Sequence, residues 1–124
     1  MHIRVQPHKS INGALLMNKI KLIDGTLDTI SESSVTLHVQ MEDIEKLLNK
    51  DLLEKEFEIA FQVPTEKGFL TMISAKATIF TLINETIILS IQPNAFMKSK
   101  LRQYVALRQS MLMVDLKQQL KHLV

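Results

Sequence analysis

The sequence predicts a mainly-β domain: about six strands in an antiparallel barrel or sandwich, a short helix near 42–50 and a long C-terminal helix. Three observations predict it. Apolar and polar residues alternate in short runs through the middle of the chain, and turn-forming residues punctuate those runs. The last thirty residues contain neither Gly nor Pro.

The elements follow in order. A first strand is expected around Ile11–Met17, weakened by Asn12 and Gly13. Ile20-Lys21-Leu22 alternates, and Asp24-Gly25 reads as a turn or bulge leading into Leu27-Asp28-Thr29-Ile30. Val35-Thr36-Leu37-His38-Val39 alternates with β-branched residues, the mark of a half-buried strand. His38 on this strand reads as partly buried and hydrogen-bonded rather than as a ligand. Phe57–Val63 repeats the pattern and stops at Pro64, with a loop through Gly68. Leu70–Leu82 and Thr86–Ile91 complete the set, joined by a turn at Asn84-Glu85.

Two segments depart from the strand period. Met41–Lys50 sets Met41, Ile44, Leu47 and Leu48 at helical spacing with acids between them. After Pro93, Asn94 is the expected N-cap of a helix reaching about residue 123, roughly 45 Å long. Met97, Leu101, Tyr104, Val105, Leu112, Leu116, Leu120 and Leu123 recur at steps of three, four and seven, as one apolar stripe. The first half of this helix is expected on the barrel. The second half needs another partner. Nothing marks a linker, so residues 1–124 read as one domain, barrel about 10–92 and helix about 94–123.

Composition narrows the function. A chain of 124 residues, 46% hydrophobic and 23% charged, holds one core. Its net charge of +2 argues against a general binder of DNA or RNA, but conceals segregation. Residues 1–23 carry Arg4, Lys9, Lys19 and Lys21 without an acid, and residues 42–58 hold seven acids against three lysines. Beyond Asn94 there are six basic residues and one acid, Asp115. The absence of cysteine excludes a disulfide framework, a thiolate metal site and a cysteine nucleophile. No apolar run approaches the ~18 residues of a membrane span. Met1-His2-Ile3-Arg4 lacks the apolar stretch of a secretory signal, so a cytoplasmic protein without membrane insertion is expected.

No constellation for catalysis is visible. His2, His8, His38 and His122 lie far apart without metal-ligand spacing, and Gly13, Gly25 and Gly68 form no phosphate loop. We therefore expect no enzyme, no metal and no cofactor. What stands out is a basic N-terminal segment, Arg4-Val5-Gln6-Pro7-His8-Lys9, and a polar connection, Asp28 to Ser34, between two strands.

The order of these segments resembles the PilZ family, bacterial domains that bind cyclic di-GMP. Members carry Arg-x-x-x-Arg just before the first strand and Asp/Asn-x-Ser-x-x-Gly between two later strands. Here Gly25-Thr26-Leu27-Asp28-Thr29-Ile30-Ser31 is similar to the family's strand into its second motif, and Phe61-Gln62-Val63-Pro64 to its middle strand. Tyr104 with Arg108-Gln109 is similar to its closing helix. The resemblance covers nearly the whole chain and implies a six-stranded antiparallel barrel with a C-terminal helix. It also implies a cyclic di-GMP receptor whose contacts come from Arg4, His8, Lys9, Thr29, Ser31 and Ser34.

The motifs are degenerate. The second arginine position is His8, which lacks the planar fork that grips guanine or phosphate in two bonds. The Asp/Asn position is Thr29, and the Gly position is Ser34. Each lost charge-assisted pair costs about 1.5–3 kcal/mol. The bland reading makes Arg4 and Lys9 a solvated terminus, and Thr29, Ser31 and Ser34 turn-formers bonded to nearby backbone. The alternative function is a module of the same type that binds no nucleotide. It would bind a protein partner or itself through Leu112, Leu116, Leu120 and Leu123.

Overall fold

The computed structural model describes residues 2–122, and Leu123 of the expected stripe lies outside them. Six strands form: β1 (Asn12–Met17), β2 (Ile20–Ile30), β3 (Ser34–His38), β4 (Glu56–Pro64), β5 (Leu70–Ile83) and β6 (Thr86–Gln92). Helix α1 (Met41–Asn49) joins β3 to β4, and α2 (Ala95–His122) follows β6. All strand pairs are antiparallel, and they close a ring in the order β1-β2-β3-β6-β5-β4, with β1 against β4.

Alternation decides which side chains enter the ring. Leu15, Val35, Leu37, Ile59, Ile73, Ile87 and Leu89 are completely buried inside it. Their sequence neighbours face outward, because side chains along a strand point to opposite faces. Burying each Leu or Ile contributes roughly 1.5–3 kcal/mol, and a slip of one residue would forfeit a whole strand's share. α1 adds Ile44 and Leu47 to the same core, and α2 adds Leu101 and Tyr104.

One expected turn is displaced. Asp24-Gly25 lies inside a continuous β2, and the chain reverses instead at Asn18-Lys19, both with left-handed backbone (φ 53° and 67°). Two such residues in succession suit the tight hairpin turn whose twist matches the flanking strands. Gly25 serves packing: it pairs with Gly13 across β1–β2, and a Cβ there would lie 2.8 Å from Leu37 Cγ and against the His38 carbonyl. The turn at Asn84-Glu85 forms as expected, with Asn84 left-handed. His38 is exposed rather than partly buried, its Nε2 3.6 Å from Glu85.

The helix after Pro93 begins as read. Asn94 Oδ1 accepts the Met97 amide at 2.9 Å, and its carbonyl accepts the Lys98 amide. The single apolar stripe holds only for the first half, where Leu101, Tyr104 and Arg108 are buried. Beyond Met111 the helix leaves the ring: Leu112, Met113, Val114, Leu116 and Leu120 are at least half exposed. Leu112-Met113-Val114 are consecutive and so face three directions, which a single stripe cannot accommodate. None of the described helices is long and apolar enough to cross a membrane.

Candidate functional site

The N-terminal segment is tied to the ring rather than frayed. Val5 is buried, and its amide and carbonyl bond Ile30 at 3.0 and 2.9 Å, adding one rung beyond the end of β2. With Val5 turned inward, Arg4 stands exposed over the β2–β3 connection. There Arg4, His2, Ser33, Ser34, Phe80 and Ser90 surround a shallow depression of about 300 Å³.

His8 and Lys9 do not join them. They lie past Pro7 on the rim of a larger cleft, about 930 Å³, between the ring's outer face and α2. The structure thus brings Arg4 to Ser34 and separates both from His8 and Lys9.

The expected hydroxyls divide in the same way. Ser31 is completely buried; its Oγ accepts the Ser33 and Ser34 amides at 3.2 and 2.9 Å and also lies 3.1 Å from the Ser34 carbonyl. Thr29 shares a 2.9 Å hydroxyl bond with Thr36, whose Oγ1 also accepts the Thr29 amide. Both side chains therefore build the connection from within, as Ser and Thr do in side-chain-capped turns. Ser33 and Ser34, held by that turn, reach the depression.

Two residues at this face were not singled out from the sequence. Phe80 is 75% exposed because it is the extra residue of a β-bulge between Ile79 and Thr81, which turns its ring outward beside Arg4. The only signal in the sequence was an aromatic residue in a long β5. Glu32 is the second. Its buried carboxylate takes two bonds from Arg102 of α2 and sits 2.7 Å from His2 Nε2, while His2 Nδ1 shares a 2.8 Å hydrogen bond with Ser33 Oγ. The Arg102 guanidinium holds the Glu32 carboxyl below the usual carboxylate range against the opposing effect of burial; the charges of His2 and Lys98 add to it. The same pairing raises Arg102. One turn thus ties together the N-terminal segment, the β2–β3 connection and α2.

In the larger cleft, Tyr104 and Arg108 of α2 are buried against the N-terminal segment. Burial pushes the Tyr104 phenol up, opposed by the His8 backbone and the Arg108 charge. Among the described residues, no group of three His, Cys, Asp or Glu side chains could hold a metal ion.

No protein-family model and no curated protein matches the chain. Solved structures do. The Bacillus subtilis inhibitor of motility (MotI/DgrA) superposes with a TM-score of 0.67 at 14% identity, over 87% of this chain and 50% of that one. The chain therefore spans about half the length of that protein. An uncharacterized Legionella protein superposes at 0.51 and 15% identity, over 91% of this chain and 98% of that one. The Borreliella burgdorferi PlzA protein, solved in complex with c-di-GMP, matches at 0.42 and 17% identity, over 82% of this chain and 45% of that one. The fold is PilZ-like, in agreement with the resemblance carried by the motifs.

Proposed function

We propose that the chain is a non-enzymatic PilZ-type barrel module that binds cyclic di-GMP on the Arg4 face and relays binding to α2. The observation that carries this reading is the meeting of an exposed arginine, an exposed aromatic ring and three serines at one depression. The Arg4 guanidinium can engage a guanine edge or a phosphate in two bonds, and the Phe80 face can stack a base. The Ser33 and Ser34 hydroxyls supply hydrogen bonds beside them. Ser31 and Thr29 act from behind, shaping the turn. His8 and Lys9 lie on another cleft, so the affinity rests on one arginine and one ring.

The relay runs through His2 and Glu32. A phosphate arriving at Arg4 competes for His2 and Ser33, which are bonded to each other and, through Glu32, to Arg102. Calorimetric titration with cyclic di-GMP to about 100 μM tests the reading, since a bound state at that concentration also stabilises the fold. Saturable heat is expected, reduced about tenfold or more in affinity by Arg4→Ala and by Phe80→Ser, in keeping with ~1–3 kcal/mol per stacked base. No heat and no thermal shift would overturn it, as would affinities unchanged in both variants.

A second reading has its own support: the exposed apolar residues of α2 beyond Met111. Surface of that kind on a projecting helix suits a protein partner or a second copy of this chain. In that reading the nucleotide face is vestigial and the helix carries the function.

A further inference from the structure

Arg108 is only 7% exposed and forms no ion pair with a carboxylate among the described residues. Its Nε donates to the Gln6 carbonyl at 2.6 Å, and Nη1 has only the Met111 sulfur at 3.9 Å. The remainder of the fork lines the 930 Å³ cleft. A buried charge is ordinarily paired, because an uncompensated one is costly. We propose that this cleft binds an anion with an aliphatic chain, its head on Arg108 and Lys9 and its chain along the ring.

The cleft has the shape and chemistry for that ligand. Its floor is low because Ala14 and Ala60 pair across β1 and β4, with nothing beyond a methyl group on either side. Leu70 and Met72 of β5 continue the floor and are more than half exposed, while Leu107 and Met111 of α2 close it from above. These walls are aliphatic and thioether. Phe61 and Tyr104 of the lining are themselves buried, so a nucleobase meets only the small His8 imidazole at the rim, unlike the open phenyl ring of Phe80. Lys9 and Arg108 outnumber the one acid, Glu66 on the β4–β5 loop, and His8 adds a further donor at the rim. The head can be a carboxylate, as in a fatty acid, or a phosphate, as in an alkyl phosphate. Both satisfy the same fork.

Tyr104 is the only tyrosine, and the chain has no tryptophan, so intrinsic fluorescence comes from a residue of this lining. The full chain is titrated with octanoate, octyl phosphate, octanol and inorganic phosphate, following Tyr104 emission. At least one octyl anion should saturate the signal about tenfold tighter than octanol and inorganic phosphate, the increment of one charge-assisted pair. Whichever octyl anion binds tighter identifies the head. Lys9→Ala and Met72→Glu, both at exposed positions, should each weaken that anion about tenfold and leave the fold intact, whereas Arg108→Gln removes a buried group and is read only if it folds. Arg4→Ala should bind the anion like wild type, which separates this result from the cyclic di-GMP titration. The proposal is overturned if octanol binds as tightly as the anions, if no anion alters Tyr104 emission, or if Arg4→Ala alone abolishes the signal.

Discussion

Glu32 and Arg102, 70 residues apart in the chain, meet in a two-bonded ion pair that ties the β2–β3 turn to α2. The same carboxylate takes His2, so one side chain gathers the N-terminal segment, the β2–β3 turn and α2. Glu32→Gln keeps the shape and removes the charge. Amide hydrogen exchange over Ala95–Arg108 should accelerate in this variant at neutral pH. Because the folded carboxyl lies below its ordinary value, the wild-type advantage exists above the ordinary glutamate range, near 4.3, and is lost as pH falls through the lower folded value. Thermal stabilities of the two proteins should converge only in acid. Equal stability at pH 7 would show that the pair is not holding the helix.

Ser31 and Thr29 should register in stability rather than in direct ligand contact. Ser31→Ala leaves the Ser33 and Ser34 amides without their acceptor and should cost about 1–3 kcal/mol in urea unfolding. Thr29→Val loses one hydroxyl pair with Thr36 and should cost about 1 kcal/mol. A Ser31→Ala protein of wild-type stability would return Ser31 to the surface site.

Gly25→Ala should destabilise although Ala has the better intrinsic strand geometry. The new methyl would meet the His38 carbonyl and Leu37, so β2 and β3 must part. Overpacking of this kind costs about 1–3 kcal/mol, measurable as a lower urea midpoint. Gly68→Ala is the contrast: nothing lies within 4 Å of its Cβ position, and only the left-handed φ of +85° opposes it.

Leu116→Glu with Leu120→Glu should leave the ring's stability within about 0.5 kcal/mol, since both positions are exposed. Light scattering then decides the role of the helix. A mass that falls to the monomer's in the double variant shows self-association through α2; an invariant monomer confines this surface to other partners.

Much of the architecture was legible because it depends on local period. Alternation identified β3 and β4, the Asn84-Glu85 turn marked off β5 and β6, helical spacing identified α1, and Asn94 capped α2 as expected. The β1–β2 turn was not legible: Asp24-Gly25 has turn chemistry, yet Gly25 is required by the closeness of Leu37, twelve residues away, and no local rule reports that. The exposed far half of α2 agrees with the expectation that it needs another partner, but where the helix leaves the ring was not legible, because leucine spacing is the same whether or not anything packs on it.

Of the candidate site, the sequence by itself determined which residue types were on hand: three arginines, one basic N-terminal run and a Ser-rich connection. Only the tertiary structure decided what each does. Arg4 stands open beside Phe80, Arg102 is spent on Glu32, and Arg108 is buried over a cleft with no carboxylate partner among the described residues. The physical reason is that a guanidinium's role is set by what desolvates it and what neutralises it. Those neighbours come from strands, turns and helices far away in the chain, so their meeting is a property of the closed ring and its helix.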